Sequence, residues 1–347
     1  MVPDILDHGL IHIQPLYVAG FMEPYDDIID LDDPKYGTKA YLTPGGFWDG
    51  KFWGITTIDW PMIPQYRGVL IFNDILLNSL IPDVNLYEMQ ENKKWTWDNF
   101  QKILEDSQSA GAELKIKPLF FAEPYDFTYN AMFSNGVSPV VLRDGKYVFG
   151  YDCEAAYKTG DWMKSLSKAK LISQGGSDVF MNNTVVFYHA QSYLATLGDF
   201  NDTNTISYKM ESYGLMPFPW GPDGTYGKHS AYIADRRLIW HLGMTNNTSE
   251  DTSIILNHLF DPLYEGKAMP WKDKIKDLVL PHIEDYNNFI DMFENLQYNY
   301  QRELFPIKGR VDTMCNALAG SGSKTSSEVI LAMKDVIQTQ LDLVYDQ

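Results

Sequence analysis

Residues 48–100 read WDGKFWGITTIDWPMIPQYRGVLIFNDILLNSLIPDVNLYEMQENKKWTWDNF, and the organisation of the chain is worked outward from them. Asp49-Gly50-Lys51 is a turn signal, because Gly50 tolerates positive φ, and residues 52–57 after it read as a short strand. Trp60, Pro61, Pro64, Tyr66 and Gly68 then crowd residues 59–68, which is the chemistry of a crossing or loop. Val69-Leu70-Ile71-Phe72 is a continuous apolar run, the pattern of a strand covered on both faces. Thr96 is placed to cap a helix, with Trp95 and Phe100 at the two positions of a hydrophobic staple. Gly111 is the expected C′ stop of that helix. A strand, an aromatic crossing and a capped helix imply two lobes joined by a bridge.

The size agrees with that division, since 347 residues are long for one core and comfortable for two. A hydrophobic content of 45% is that of a globular chain rather than a disordered one. The aromatic share of 14%, with 9 Trp and 22 Tyr, has two readings: core packing, or a groove for a ligand with flat apolar faces such as a sugar ring. The net charge of −18 argues against nucleic acid or an anionic membrane as partner, because both require fields of Lys and Arg. No stretch approaches the roughly 18 apolar residues of a membrane-spanning helix, and MVPDILDHG carries no export signal. Cys153 and Cys315 fit no metal or redox spacing, so they either pair or stay thiols.

Along the chain, strands alternate with helices, which makes the class α/β. Strands are expected over 115–121, 184–188, 213–218 and 233–242, and a hairpin over 140–149 around Arg143-Asp144-Gly145-Lys146. Helices are expected over 127–133, 154–169, 178–181, 249–260, 286–299 and 326–344. Residues 188–194 read as a turn into a further helix, and Pro219-Trp220-Gly221-Pro222-Asp223-Gly224 is the strongest turn cluster.

None of the nucleotide-loop, Walker A, nucleophile-elbow or H-E-x-x-H motifs is present, which weighs against nucleotide enzymes, α/β hydrolases and zincins. His8 and His12, four apart with Asp4 and Asp7 nearby, read either as two ligands on a helical face or as ordinary surface histidines. Two carboxylates lie among aromatics: Asp59 beside Trp60, and Glu123 between Phe121 and Tyr125. They read as a glycosidase dyad, or as acceptors for sugar hydroxyls with Trp60 and Tyr125 packed on the rings, or as structural groups.

The order of these features resembles the extracellular solute-binding proteins of ABC transporters, in the sugar-binding group that contains maltose-binding protein. Pro3-Asp4-Ile5 with Gly20-Phe21-Met22-Glu23-Pro24-Tyr25 is similar to the family's opening segment, and Asp49-Gly50-Lys51-Phe52-Trp53-Gly54 to its DGK strand. Residues 69–74 resemble its crossover strand and Trp95-Thr96-Trp97-Asp98-Asn99-Phe100 its helix start. Glu123-Pro124-Tyr125 repeats a tripeptide of the maltose-binding cleft, and Tyr213-Gly214-Leu215-Met216-Pro217-Phe218-Pro219 is similar to the strand before the second crossing.

The resemblance implies a two-lobe, type II periplasmic-binding-protein fold with hinge crossings and a ligand cleft between the lobes. Its lobes would be 1–68 plus 222–303, and 69–221 plus 304–347. It implies a non-enzymatic, cofactor-free, monomeric carrier of carbohydrate, with no nucleic-acid partner, that delivers an oligosaccharide to the membrane permease of an importer. It further implies a place in the periplasm or on the outer face of the membrane, held by a lipid. The cleft would take His8 and Gly9 from one lobe, Asp59 and Trp60 at the first crossing, and Glu123, Tyr125, His189, Gln191 and Tyr193 from the other. Trp220 would mark the second crossing. The family's first strand, first helix and export signal are not found ahead of Met1, so a shortened amino-terminal lobe is expected. The rival readings are a glycoside hydrolase using Asp59 or Glu123, and a binding protein for a peptide, polyamine or metal.

Overall fold

A computed structural model describes residues 5–9, 15–33, 47–48, 50–55, 65–196, 205–233, 237–243, 248–260, 271–298 and 307–345. The small sheet is built on β1 (Ile5–Gly9), β2 (Met22–Glu23), β5 (Gly54–Ile55) and β14 (Arg237–Leu242). All three early strands pair antiparallel with β14, which is therefore the centre of that sheet. A hairpin of β3 (Phe47–Trp48) and β4 (Lys51–Phe52) precedes β5, and Gly50 in its turn has φ of 73°, the left-handed value expected of it.

The large sheet is organised around β6 (Arg67–Phe72). Its other strands are β7 (Lys117–Phe121), β10 (Ile172–Gln174), β11 (Val185–Gln191), β12 (Gly214–Pro217), β13 (Tyr232–Ile233) and β15 (Gln297–Tyr298). β10, β7 and β11 run parallel, whereas β6 is antiparallel to β11 on one side and to β12 and β13 on the other. Each sheet thus receives one strand, β6 or β14, that runs against its neighbours. The apolar run read from the sequence is this inserted strand. Val69, Leu70 and Ile71 are fully buried, and their side chains alternate between the cores on the two faces. Burying each such side chain stabilises the fold by about 1.5–3 kcal/mol.

On one face lie the helices α1 (Asp74–Leu80), α2 (Leu86–Glu91), α3 (Trp97–Ala110) and α4 (Pro124–Ser134). The staple at the start of α3 forms, with the Trp95 and Phe100 rings edge to face at 5.3 Å. The cap does not, because Thr96 makes no side-chain cap bond. Backbone from the 220 turn takes its place: Trp97 N–H donates to the Trp220 carbonyl at 3.0 Å, and Trp220 N–H to the Trp95 carbonyl at 3.1 Å. Gly111 sits at the C-cap with φ of −88°, so the left-handed stop is also replaced.

The hairpin of β8 (Val140–Arg143) and β9 (Lys146–Phe149) forms as read, with Asp144 and Gly145 both at positive φ. α5 (Glu154–Lys168) follows, then the short α6 (Ser177–Met181), α7 (Tyr193–Thr196) and α8 (Ile206–Lys209). α9 (Ser249–Phe260) belongs with the small sheet through Leu256, which packs with Tyr25 and Ile55. α10 (Trp271–Lys274) leads to α11 (Ile283–Glu294), which packs on β12 and puts Phe289, Met292 and Phe293 into the core beside Val69 and Ile71. Residues 231–233 and 275–298 therefore keep company with the large sheet, although the sequence reading had 222–303 with the small one. The last helices, α12 (Lys308–Ala319) and α13 (Ser326–Tyr345), pack with α4 and α5 in a third core that includes Cys315 and borders Cys153. Both cysteines are free thiols.

Candidate ligand-binding site

β7 and β11 run side by side with Phe121 opposite His189, so they end at the same edge of the large sheet. β6 enters at that edge, tied by two bonds: Tyr66 N–H donates to Ser192 Oγ at 3.0 Å and Ser192 N–H to the Tyr66 carbonyl at 2.8 Å. The groups that follow the two strand ends are Glu123 and Tyr125 at the start of α4, and Gln191 and Tyr193 at the start of α7. Glu123 is exposed and the other three are half-buried, so four hydrogen-bonding side chains face partly outward beyond the carboxyl ends of parallel strands. Ligand crevices of open α/β sheets occur at such ends.

The structure removes two of the expected contact residues from this surface. β11 continues through His189 and Ala190 to Gln191 with a bulge at its end, where the sequence reading began a turn after Tyr188. His189 is in consequence 2% exposed, edge to face with Phe127 at 5.3 Å and with Phe218 at 6.0 Å. Burial, helped by the nearby Arg67 charge, holds its pKa down at about 3, so the ring is neutral. Its Nε2 lies 2.7 Å from Asn130 Oδ1, and because Asn130 Nδ2 donates to the Ser230 carbonyl at 2.7 Å, the histidine is the donor of the pair. Trp220 is 5% exposed and packs against Tyr226 with ring centroids 4.1 Å apart and planes tilted by 32°, its indole N–H donating to the Lys228 carbonyl at 3.2 Å. Both side chains are buried and hydrogen-bonded within the large-sheet part of the molecule.

His8 and Gly9 end β1, opposite Leu238 and Arg237 of β14, on the small sheet. Asp59 and Trp60 lie outside the described residues, as does His12. Among the described residues no group of His, Cys, Asp and Glu is arranged to hold a metal ion, and no helix is long and apolar enough to cross a membrane.

A second layer of polar residues went unread in the sequence. Asp126 of α4 accepts from Arg67 through one oxygen and from the Tyr232 hydroxyl through the other, and the Arg67–Asp126 pair is largely buried, at 15% and 8% side-chain exposure. The clue was available in α4 itself, where Asp126, Asn130 and Ser134 recur every fourth residue in a helix whose other residues, Thr128 apart, are apolar or aromatic.

No protein-family model and no curated protein matches the chain. Solved structures do. The sugar-binding protein MalE from Xanthomonas citri superposes over 99% of this chain and 84% of its own, with a TM-score of 0.66 at 14% identity. UgpB from Mycobacterium tuberculosis, in complex with glycerophosphocholine, gives 0.65 over 99% and 84% at 14% identity. The cyclic alpha-maltosyl-1,6-maltose binding protein from Arthrobacter globiformis gives 0.65 over 99% and 85% at 13% identity. The fold is that of the two-lobed solute-binding proteins. The α/β class and two-lobe architecture expected from the sequence are those of these structures.

Proposed function

We propose that the chain is the solute-binding component of an ABC importer and holds a carbohydrate, an oligosaccharide, between its lobes. The observation that carries the reading is the reciprocal insertion of β6 and β14. Arg67 at the start of β6 pairs with Tyr232 of β13 beside the strand ends that carry Glu123, Tyr125, Gln191 and Tyr193, which supports a cleft at that edge. Hinge closure over that edge surrounds a sugar on all sides and still admits it, which a rigid cleft cannot do. The solved structures of the same fold that are named as sugar-binding proteins support the choice of ligand.

In this reading Glu123 and Gln191 bond hydroxyls, Tyr125, Tyr193 and Trp60 meet ring faces, and Asp59, His8 and Gly9 complete the wall. His189 and Trp220 act behind it. The lobes we propose follow the cores: 5–55 with 237–260, and 65–233 with 271–345. No bond is broken, the protein acts as a monomer, and its partners are the ligand and the permease on the outer side of the membrane, where a lipid anchor keeps it. The glycosidase alternative loses support at Glu123, whose solvent-exposed position lacks the apolar enclosure of a general acid.

Thermal denaturation in the presence of maltotriose, raffinose, cellotriose, glycerophosphocholine, spermidine and zinc tests the proposal, with recovery of each sugar by mass spectrometry. A saccharide that raises the melting temperature and returns intact is expected. Stabilisation by spermidine or zinc alone, or recovery of a cleaved sugar, overturns it.

A further inference from the structure

The polar stripe on α4 holds more than the site. The return connection lies along it in the opposite direction: Gly221 N–H donates to the Ser134 carbonyl at 3.0 Å, Asn130 Nδ2 to the Ser230 carbonyl at 2.7 Å, and the Tyr232 hydroxyl to Asp126. The outgoing crossing is held on the same face. Arg67 pairs with Asp126, and the Asn130 amide occupies the space above Gly68, where φ is 93° and an added Cβ would overlap that amide. The remaining acceptor of Asn130 takes His189. One helix face thus grips both strands of the hinge, with Asn130 buried at 0% exposure and bonded through both ends of its amide.

We propose that Asp126 and Asn130 are positioning residues for lobe closure. They fix the large-lobe ends of both crossings to the helix whose amino end presents Glu123 and Tyr125, so that ligand contact at that end sets the angle between the lobes. This rests on the reading that a solute binds between the lobes. A buried network with its donors and acceptors paired has one arrangement rather than a range, so loosening it widens the set of angles open to the free protein.

Two substitutions in the full chain test it. Tyr232→Phe keeps the buried ring and removes one bond to Asp126; Asn130→Ala removes the grip on Ser230 and the cover over Gly68. Circular dichroism checks folding, small-angle scattering of the ligand-free chain reads lobe angle, and calorimetry with maltotriose reads affinity. Folded variants with a larger radius of gyration and maltotriose binding weakened at least about fivefold are expected. Wild-type scattering from folded Tyr232→Phe, with or without a fall in melting temperature, overturns the proposal. If the wild-type chain binds no maltotriose, the choice of that sugar fails there, while the scattering of the two variants still decides whether these residues position the lobes.

Discussion

The Asp285 carboxylate accepts the backbone N–H of Leu215 at 2.6 Å, and Asn288, one turn further along α11, donates to the Leu215 carbonyl at 2.8 Å. Leu215 belongs to β12, whose outer side carries no strand among the described residues. Two helical side chains therefore do for this peptide what a neighbouring strand would do, and the edge is closed to pairing with another chain. The arrangement leaves Asp285 Oδ2 buried without a partner.

That burial makes stability depend on pH in a particular direction. Desolvation pushes the Asp285 pKa up to about 6, against opposing bonds from Tyr87 and Leu215 and the nearby charge of His282. The folded state then holds a proton that the unfolded chain releases near 3.8, so this group's stabilisation is full below about pH 4 and is lost as pH rises through 6. Asp285→Asn keeps the acceptor oxygen and removes the titration. Urea midpoints measured from pH 4 to 7 should show wild type losing on the order of 2 kcal/mol relative to that variant.

The helix starts predict an uneven response to cap removal. Asn73 and Asn85 accept from the third residue of α1 and α2 at 2.9 and 3.1 Å, whereas Thr96 makes no such bond. Changing either asparagine to alanine should cost about 1 kcal/mol in chemical denaturation, and more at Asn73, which also donates to Asn183. Thr96→Ala should stay within about 0.5 kcal/mol of wild type.

Substitutions at the candidate site should separate affinity from stability. Trp60→Ala and Tyr125→Ala are expected to weaken binding of the stabilising sugar by tenfold or more, about 1.4 kcal/mol, with the ligand-free melting temperature nearly unchanged. A large loss of melting temperature at unaltered affinity would make them core residues.

His189→Ala should behave in the opposite way. It opens a cavity between Phe127 and Phe218 and strips Asn130 of a donor, for a cost of roughly 2–4 kcal/mol read from denaturant midpoints. Burial keeps the folded ring neutral, while the unfolded imidazole takes up a proton below its ordinary 6.5, so wild type loses stability from pH 8 to pH 6 and the alanine variant does not. The cost should therefore be smaller at pH 6 than at pH 8, by on the order of 1 kcal/mol.

What the sequence made legible was local. The staple at Trp95 and Phe100, the doubly covered run from Val69 and the turn at Gly50 depend on residues close together in the chain, and each formed. The sequence-distant contacts were harder to read. The cap expected of Thr96 was replaced by backbone from Trp220, far along the chain, and no periodicity announces such a substitution. The strand runs on past Tyr188 although His189, Gln191 and Ser192 resemble the start of a turn, because burial between two aromatic rings and one amide accommodates the imidazole. The stripe of Asp126, Asn130 and Ser134 was visible all along, but its partners come from both crossings and only the fold brings them together.

The central position of β14 also orders events in time. β1, β2 and β5 each pair with β14 and, among the described residues, with nothing else. On a growing chain these early strands wait without a partner while roughly 180 further residues are added, some 10–35 s at ordinary rates of synthesis. The large sheet can assemble around β6, β7, β11 and β12 in that interval. The small sheet therefore cannot form until β14 has been made, and α11, α12 and α13 of the large lobe follow later still.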